Sequence, residues 1–357
     1  MRQRRYLLVA AAALGLVAAA CGSSSGGGAS GTSATTAAAG GGATTAAPSG
    51  TAAATTAANA PGTTVKVTQG SNLTFYMITH GDNGPFWSVV QKGAEQAGKD
   101  LGVTVKYEGA NNDAQAQSQM IEAAISEKPA GIAISLADPA GVSAAAKAVV
   151  AAKIPLYTIN SGVNDYKALG AVTHIGQTET VAGAGAGDRF NALGAKSVLC
   201  ARQEQTNIGL EERCKGLQST FKGTVKSEFV GLDTDPTGQE NQISALLQAN
   251  PDIDAILGTG PVVAKSAIGA AQTAGRKATI GGFDITPDII SAIKSGQIAF
   301  TVDQQQYVQG YLPIVLMYLQ ATNLNTVGGG LPILTGPGFV DKDNVDAISK
   351  LVDAGTR

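Results

Sequence analysis

The chain has 357 residues, with 25 Lys and Arg against 27 Asp and Glu, so its formal net charge at pH 7 is −2. Only 15% of the residues are charged, and no basic excess marks a surface for nucleic acid or another polyanion. The composition therefore argues against nucleic acid as a partner.

The first 21 residues have the layout of an export signal. A basic start, M-R-Q-R-R, precedes an apolar stretch over residues 6–17 and the small residues A-A-A before Cys21. This pattern predicts a secretory signal peptide over residues 1–20, because the apolar stretch is too short to span a membrane. Cysteine directly after small residues is typical of a lipobox, so Cys21 is predicted to be lipidated. Ala18 stands where leucine is usual, so plain cleavage after Ala20 is the alternative.

Residues 21–64 form the predicted linker. After the cysteine this segment contains only Gly, Ser, Ala, Thr, Pro and Asn, with no charge and no bulky apolar side chain. Such a sequence cannot bury enough surface to offset the entropy of ordering it, so a disordered tether is expected. The folded body then begins near Val65 and is long enough for two domains.

The body alternates short apolar runs with amphipathic stretches. Repeated units of this kind imply parallel sheets covered by helices on both faces. The predicted fold class is α/β, with two doubly wound parallel-sheet domains, and a single barrel is the alternative. In chain order, strands are predicted near residues 73–78, 103–107, 131–135, 155–159, 171–175, 197–200, 225–229, 255–259 and 279–283.

The loop after the first strand is the most informative stretch. The strand ends in T-H-G-D-N-G-P, and the next stretch opens with the aromatic pair Phe86 and Trp87. Pro85 suits a helix start, where a backbone N–H is not needed. In an open α/β sheet, ligands bind beyond the carboxyl ends of the strands, which is where this loop lies.

The run N-G-P-F-W-S-V-V-Q-K-G-A-E from residue 83 resembles the start of the ribose/galactose-binding proteins. These are type I periplasmic solute-binding proteins that serve ABC importers of simple sugars. Two later stretches, G-F-D-I-T-P-D from residue 282 and T-V-D-Q-Q from residue 301, are also similar to the family. The resemblance implies two lobes joined by a hinge, with the ligand in the cleft between them.

The resemblance also implies that the chain crosses between lobes three times. The crossings are expected near residues 177–178 and 302–303 and in the V-G-G-G run at 327–330. The N-terminal lobe would then be 65–176 plus 303–328, and the C-terminal lobe 177–302 plus 329–357. The triple glycine suits a hinge strand, although a simple loop explains it equally well.

Polar residues follow the strands that should converge on the cleft. A sugar needs amides and carboxylates for its hydroxyls and apolar surface for its C–H faces. The resemblance implies that the two aromatics enclose the sugar ring and that Asp284 binds hydroxyls. It also implies that Gln304, which follows the return crossing, contacts the sugar. The predicted ligand-binding residues are His80, Asp82, Asn83, Phe86, Trp87, Asn160, Ser161, Glu204, Asn207, Asp284 and Gln304.

Three departures from the family pattern narrow the predicted ligand. Asn160 and Ser161 replace an Asp-Arg pair, Glu211 aligns with an expected arginine, and Gly260 replaces an asparagine. These departures argue against ribose and against a charged sugar acid. They leave a neutral monosaccharide, a polyol or an inositol.

Several of these residues have a purely structural alternative. Asp284 could cap the next helix, and the two aromatics could cap a core. His80 is interpreted as a hydrogen-bonding wall residue, and His174 as part of a strand with no chemical role. Asp138, before a proline, is interpreted as a helix N-cap.

Cys200 and Cys214 remain after Cys21 is lipidated. In an exported chain they are predicted to form a disulfide, with two buried thiols as the alternative.

The predicted function is a substrate-binding receptor, with an ABC permease as partner. It would be a monomer without cofactor or metal, exported and lipid-anchored at the outer face of the cytoplasmic membrane, or periplasmic. A ligand-presenting sensor for a chemoreceptor or kinase shares the same site and remains an alternative. An exported enzyme is disfavoured because no strand of the body runs into a G-x-S-x-G elbow and no H-E-x-x-H is present.

Overall fold

The computed structural model describes residues 72–82 and 84–357. The signal peptide and linker predicted over 1–64, the lipidation site Cys21 and the predicted ligand-binding residue Asn83 lie outside the described residues. Within the part described, strands and helices alternate from β1 to α10.

The strands are short and mostly buried. Their bounds are β1 Thr74–Thr79, β2 Thr104–Gly109, β3 Gly131–Ser135, β4 Leu156–Asn160, β5 His174–Gln177, β6 Ser197–Arg202, β7 Thr224–Phe229, β8 Ala255–Gly258, β9 Thr279–Phe283, β10 Phe300–Asp303, β11 Ile333–Gly336 and β12 Gly338–Asp341.

Several helices begin at residues that satisfy, or do not require, the free backbone N–H groups of the first turn. Asp113, Asp138 and Asp235 accept hydrogen bonds from first-turn N–H groups, and several helices have proline in the first turn. The role of Asp138 as an N-cap is confirmed. The helices are α1 Trp87–Leu101, α2 Ala114–Ser126, α3 Pro139–Ala151, α4 Glu179–Ala192, α5 Ile208–Thr220, α6 Pro236–Ala249, α7 Pro261–Thr273, α8 Pro287–Lys294, α9 Gln306–Asn323 and α10 Val345–Asp353, with 3₁₀ turns at Tyr166–Leu169 and Gly328–Gly330.

The strands form two six-stranded sheets with the same order. The first sheet runs β11-β5-β4-β3-β1-β2 and the second runs β12-β10-β9-β8-β6-β7. All pairings are parallel except β10 with β12. Apolar clusters cover both faces of each sheet, as parallel sheets require. We refer to each sheet with its helices as the first lobe and the second lobe. The predicted fold class is confirmed.

The chain passes between the sheets at three places. It leaves the first sheet after β5, returns between β10 and α9, and crosses again between β11 and β12 at Pro337. The third crossing was expected at the triple glycine, with 329–357 in the second lobe. Strand β11 instead pairs with β5, so residues up to Gly336 lie with the first sheet. The glycines form a 3₁₀ turn that precedes this strand.

Cys200 and Cys214 form a disulfide, as predicted, with a Cα–Cα distance of 5.9 Å. Cys200 lies in β6 and Cys214 in α5, and both are buried in the core of the second lobe. The bond therefore fastens α5 to the sheet on which it packs. Among the described residues, no helix is both long enough and apolar enough to cross a membrane.

Candidate functional site

A cavity lies between the lobes, where the carboxyl ends of strands from both sheets meet. Because the two sheets face each other across the chain crossings, the strand ends of each lobe form one wall. The cavity is lined by His80, Gly84, Pro85, Phe86, Trp87, Asn160, Ser161, Gln203, Glu204, Asn207, Leu210, Arg213, Asp233, Pro261, Asp284 and Gln304.

The aromatic part of the wall comes from the start of α1. The Trp87 ring meets the His80 ring and the Phe86 ring edge to face, with centroids 4.8 and 4.9 Å apart. A Cβ on Gly81 would lie 2.0 Å from Trp87 Nε1, so only glycine lets the indole occupy this place. Both aromatic rings also pack in the core of the first lobe. They therefore line the cavity and pack in the core at the same time, and their contact with a sugar ring stays a prediction.

The two lobes present different side chains at equivalent strand ends. Asn160 ends β4 and Asp284 follows β9, and these strands hold the same position in the two sheets. Both residues have a left-handed backbone, with φ of 62° and 69°. Asn and Asp tolerate this conformation better than most residues, so backbone and side-chain requirements coincide here.

Gln304 connects these two residues across the cleft. Its Nε2 donates to Asp284 Oδ1 at 2.7 Å, and its Oε1 accepts from Asn160 Nδ2 at 3.3 Å. Thr286, not Asp284, caps α8, since Thr286 Oγ1 accepts from the backbone N–H of Ile289. The capping alternative for Asp284 is therefore wrong. Burial raises the pKa of Asp284 to about 7, although Arg213 and the bond from Gln304 act to lower it.

The arginine expected from the family pattern was matched to Glu211, but a buried arginine lies two residues further along the chain. Glu211, which was aligned with that arginine, is exposed and pairs with Lys215. Arg213 is the buried residue that lines the cavity. Its guanidinium stacks on the Phe283 ring at 4.3 Å. The second wall thus carries a cation that sequence reasoning missed.

Arg213 is held by a buried carboxylate. Its Nε and Nη2 donate to the two carboxylate oxygens of Glu179 at 2.6 and 3.0 Å, and Nη1 donates to the Thr259 carbonyl at 2.6 Å. These three bonds use one N–H on each terminal nitrogen and leave the second N–H of each outside them. The pair is fixed in geometry and neutral in sum, so it offers donors without offering net positive charge.

His80 lies where the two lobes touch. Its Nδ1 is 2.7 Å from Ser135 Oγ, and its Nε2 is 3.5 Å from Glu204 Oε2 and 3.4 Å from Asn207 Nδ2. Burial, assisted by Arg213, lowers the pKa of His80 to about 3, so the ring is neutral at pH 7. His80 therefore acts as a hydrogen-bonding wall residue.

Further contacts hold the lobes together beside the cavity. The Ile208 N–H donates to the Ala137 carbonyl at 3.0 Å, and Ser161 Oγ lies 3.2 Å from Asn207 Oδ1. Asn207 also caps α5 and donates to Glu204 at 2.9 Å. These contacts span the cleft, so the structure is in a closed form.

Most predicted site residues meet in this cavity. Asp82 does not line it, because its Cβ lies against Gly109 at the end of β2. Gln203 and Asp233 line it but were not predicted. Gln203 could have been found from its place at the end of β6, whereas Asp233 lies in a loop without a distinguishing motif.

His174, the second histidine, lies in β5 with its Nδ1 3.0 Å from Thr158 Oγ1. Burial lowers its pKa to about 3, and it does not line the cavity. Across residues 72–82 and 84–357, no group of three or more His, Cys, Asp and Glu is arranged to hold a metal ion.

Comparison with known proteins shows the family to which this fold belongs. Residues 75–324 match the family described as periplasmic binding protein domain. The xylose/arabinose-binding protein of Sulfolobus acidocaldarius is 26% identical over 287 residues, which cover 75% of this chain and 71% of that protein. The ribose import binding protein of Bacillus subtilis is 27% identical over 235 residues, which cover 64% of this chain and 75% of that protein.

Solved structures extend the similarity to proteins with bound polyols and sugars. A carbohydrate transporter from Acidothermus cellulolyticus, in complex with myo-inositol, is 40% identical with a TM-score of 0.78, covering 80% of this chain and all of that one. A solute-binding protein from Burkholderia graminis, in complex with D-arabinose, is 26% identical with a TM-score of 0.69, covering 78% of this chain and 98% of that one.

Proposed function

The chain belongs to the periplasmic binding protein domain family, and on that premise we propose that it is the substrate-binding receptor of an ABC importer. Its ligand is a neutral cyclitol or monosaccharide, with myo-inositol the first candidate. The importer role is supported by the ribose import binding protein, and the candidate ligand by the inositol complex of the Acidothermus relative.

The observation that carries the proposal is the cavity between the lobes. Its first wall offers two aromatic rings for an apolar ring face, and its second wall offers Arg213 and Asp284 for hydroxyls. A cyclic polyol has this division, with apolar C–H faces and a polar rim. The remaining donors of Arg213 can bind neighbouring hydroxyls as a fork, and Asp284 can accept from another pair.

The charge of the cavity favours an uncharged ligand. Glu179 neutralises Arg213, while Asp233, Glu204 and Asp284 add acidic side chains whose pKa values burial raises. Among the described lining residues an anionic sugar acid would therefore meet no cation except an arginine that is already paired. The sequence analysis also argued against sugar acids, from the departures at Asn160, Ser161, Glu211 and Gly260. The pairing of Arg213 with Glu179 adds a second reason to that expectation.

Closure of the lobes is the proposed binding step. A ligand on one wall completes its hydrogen bonds only when the other wall approaches, so it binds the closed form more tightly and shifts the population toward it. Contacts such as Ser161 with Asn207 and Ile208 with Ala137 then support the closed form. The permease would recognise this closed shape.

We also propose that the receptor is exported, acts as a monomer and is tethered by lipid at Cys21. The support is the sequence around the cysteine and the linker composition of residues 21–64. Mass spectrometry of the N-terminal peptide from the native host tests the tether. A diacylglyceryl-modified Cys21 is expected, and an unmodified peptide that begins at Cys21 would exclude lipid attachment.

Calorimetric titration with a panel of pentoses, hexoses, polyols and inositols tests the function. We expect saturable binding at one site per chain by a neutral member and no binding by uronic acids. Ligand recovered after incubation should be chemically unchanged. Absence of binding by every panel member, or conversion of the ligand to a product, would overturn the receptor proposal.

A further inference from the structure

A second cavity opens beside the first, on the side of the cleft away from the crossings. The first-lobe side is lined near the ends of β1, β2 and β3, and the second-lobe side near the ends of β6 and β7. Strands β2 and β7 are the sheet edges farthest from β11 and β12. We call this cavity the mouth; it is lined by His80, Asn112, Ala114, Gln117, Ala137, Asp138, Glu204, Gln205, Thr206, Phe229 and Leu232.

The mouth adjoins the ligand cavity. His80 and Glu204 line both, and their contact at 3.5 Å forms the boundary between them. Because the His80 ring is neutral, this contact is a weak polar one and not a charge pair. A substituent on a ligand in the inner cavity could therefore part these side chains and enter the mouth.

The walls of the mouth suit a second sugar unit. Phe229 and Leu232 provide apolar surface, and Leu232 is 43% exposed. Asn112, Gln205 and Thr206 provide exposed amide and hydroxyl groups around it. An apolar patch with polar side chains at its rim matches the face and edge of a sugar ring.

The mouth does not suit a phosphate. Helices α2 and α3 begin at it, but Asp113 and Asp138 already accept from their first-turn N–H groups. Among the described residues that line the mouth none is Lys or Arg, and Glu204 and Asp138 add carboxylates. An uncharged substituent is therefore favoured over a charged one.

We propose that the mouth is a second subsite, which binds a neutral sugar unit attached through a glycosidic bond to the ring held in the inner cavity. This inference rests on the proposed receptor function and extends its ligands from free polyols to their glycosides. The inner ring keeps its contacts with Arg213 and Asp284, and the outer ring lies on Phe229 and Leu232.

The test compares how tightly the full chain binds free and glycosylated ligands, measured by calorimetry. The probes are myo-inositol with its α-galactoside galactinol, and D-xylose with xylobiose. In at least one pair, we expect the glycoside to bind wild-type protein within about threefold of the free ligand or more tightly. Leu232→Ser and Phe229→Ala should weaken the glycoside about threefold to tenfold and leave the free ligand unchanged. Leu324→Ser is the matched control, because Leu324 is exposed and does not line the mouth.

Two outcomes would overturn the subsite. Glycosides that bind about a hundredfold more weakly than the free ligand would show that the outer unit does not fit. Equal weakening of both ligand forms by Leu232→Ser would show that this side chain acts on the fold or on closure, not on an outer ring. If none of the four probes binds wild-type protein, the receptor proposal for these sugars fails, and the subsite fails with it.

Discussion

The two lobes share one strand order, yet they place different chemistry on the two walls of the cleft. At equivalent strand ends the first lobe has the amide Asn160 and the second has the carboxylate Asp284. The rest of the first wall is aromatic or neutral, with Trp87 and an uncharged His80. The second wall holds the ion pair of Arg213 with Glu179.

This difference separates two tasks. Charged hydrogen bonds are directional and strong, so the second wall is suited to read the orientation of hydroxyls. Aromatic rings bury a ring face without demanding directional bonds, so the first wall is suited to cover the ligand. The predictions that follow change one wall at a time.

The largest effect is expected from removing the counterion of the charged wall. Glu179→Ala leaves Arg213 buried without its partner, and breaking a buried ion pair on one side costs about 3–5 kcal/mol. The free energy of unfolding, measured with urea, should fall by that amount. Glu179→Gln keeps the shape and some hydrogen bonding, so it should lose less. A loss below about 1 kcal/mol in Glu179→Ala would contradict the buried pair.

Making the second wall resemble the first is the next test. Asp284→Asn keeps the side-chain shape and tolerates the left-handed backbone, but it removes the charge. Each lost charged hydrogen bond costs about 1.5–3 kcal/mol, so affinity should fall at least about tenfold by calorimetry. The reciprocal Asn160→Asp places a second carboxylate beside Gln304 and should also weaken binding. Unchanged affinity in Asp284→Asn would remove the carboxylate from the site.

Trp87 tests the aromatic wall, because it is the only tryptophan in the chain. Its intrinsic emission should change on ligand addition and saturate at one site per chain. Trp87→Ala should weaken binding by about 1–3 kcal/mol and also lower stability without ligand, since the ring packs in the core. Trp87→Phe preserves most of the packing and serves as the control. A calorimetrically confirmed ligand that leaves the emission unchanged would place the aromatic contact elsewhere.

The last test is the slope of stability with pH, which is small over any single pH unit. The pKa of Asp284 is raised to about 7 in the folded chain, above its unfolded value near 4, so the folded state binds more protons between these limits. Its contribution to stability should therefore decline as pH rises from about 4 to 7, by no more than about 1.4 kcal/mol per pH unit. The unfolding free energy of the wild type minus that of Asp284→Asn isolates this slope, because both chains share His80 and His174. A difference that rises with pH would contradict it.

A structural feature could be predicted from the sequence when a few neighbouring residues determine it. Strand ends such as His80 and Asp284 were predictable because each follows an apolar run, and parallel strands bring their carboxyl ends to one edge. Arg213 was missed because its helix carries no motif that fixes register, and a shift of two residues moves a side chain from the core to solvent. Strand β11 was missed because its own side chains are only partly buried, so its apolar pattern is weak.

Contacts between residues that lie far apart in the chain also could not be predicted from the sequence. Glu179 and Arg213 are 34 positions apart, and neither residue alone indicates a buried ion pair. The mouth likewise combines loops after β2, β6 and β7 that have no shared pattern. These features arise only when two helices or two lobes have packed together.

The disulfide has a consequence for when the receptor becomes competent. Cys214 is the residue after Arg213 in α5. Its bond to Cys200 therefore holds the turn of α5 that carries the guanidinium against β6. Thiols stay reduced in a typical cytosol and form disulfides only in oxidising compartments. A chain folded before export would thus lack one support of its charged wall. For the exported receptor proposed above, this support of the second wall would form only after the chain enters an oxidising compartment.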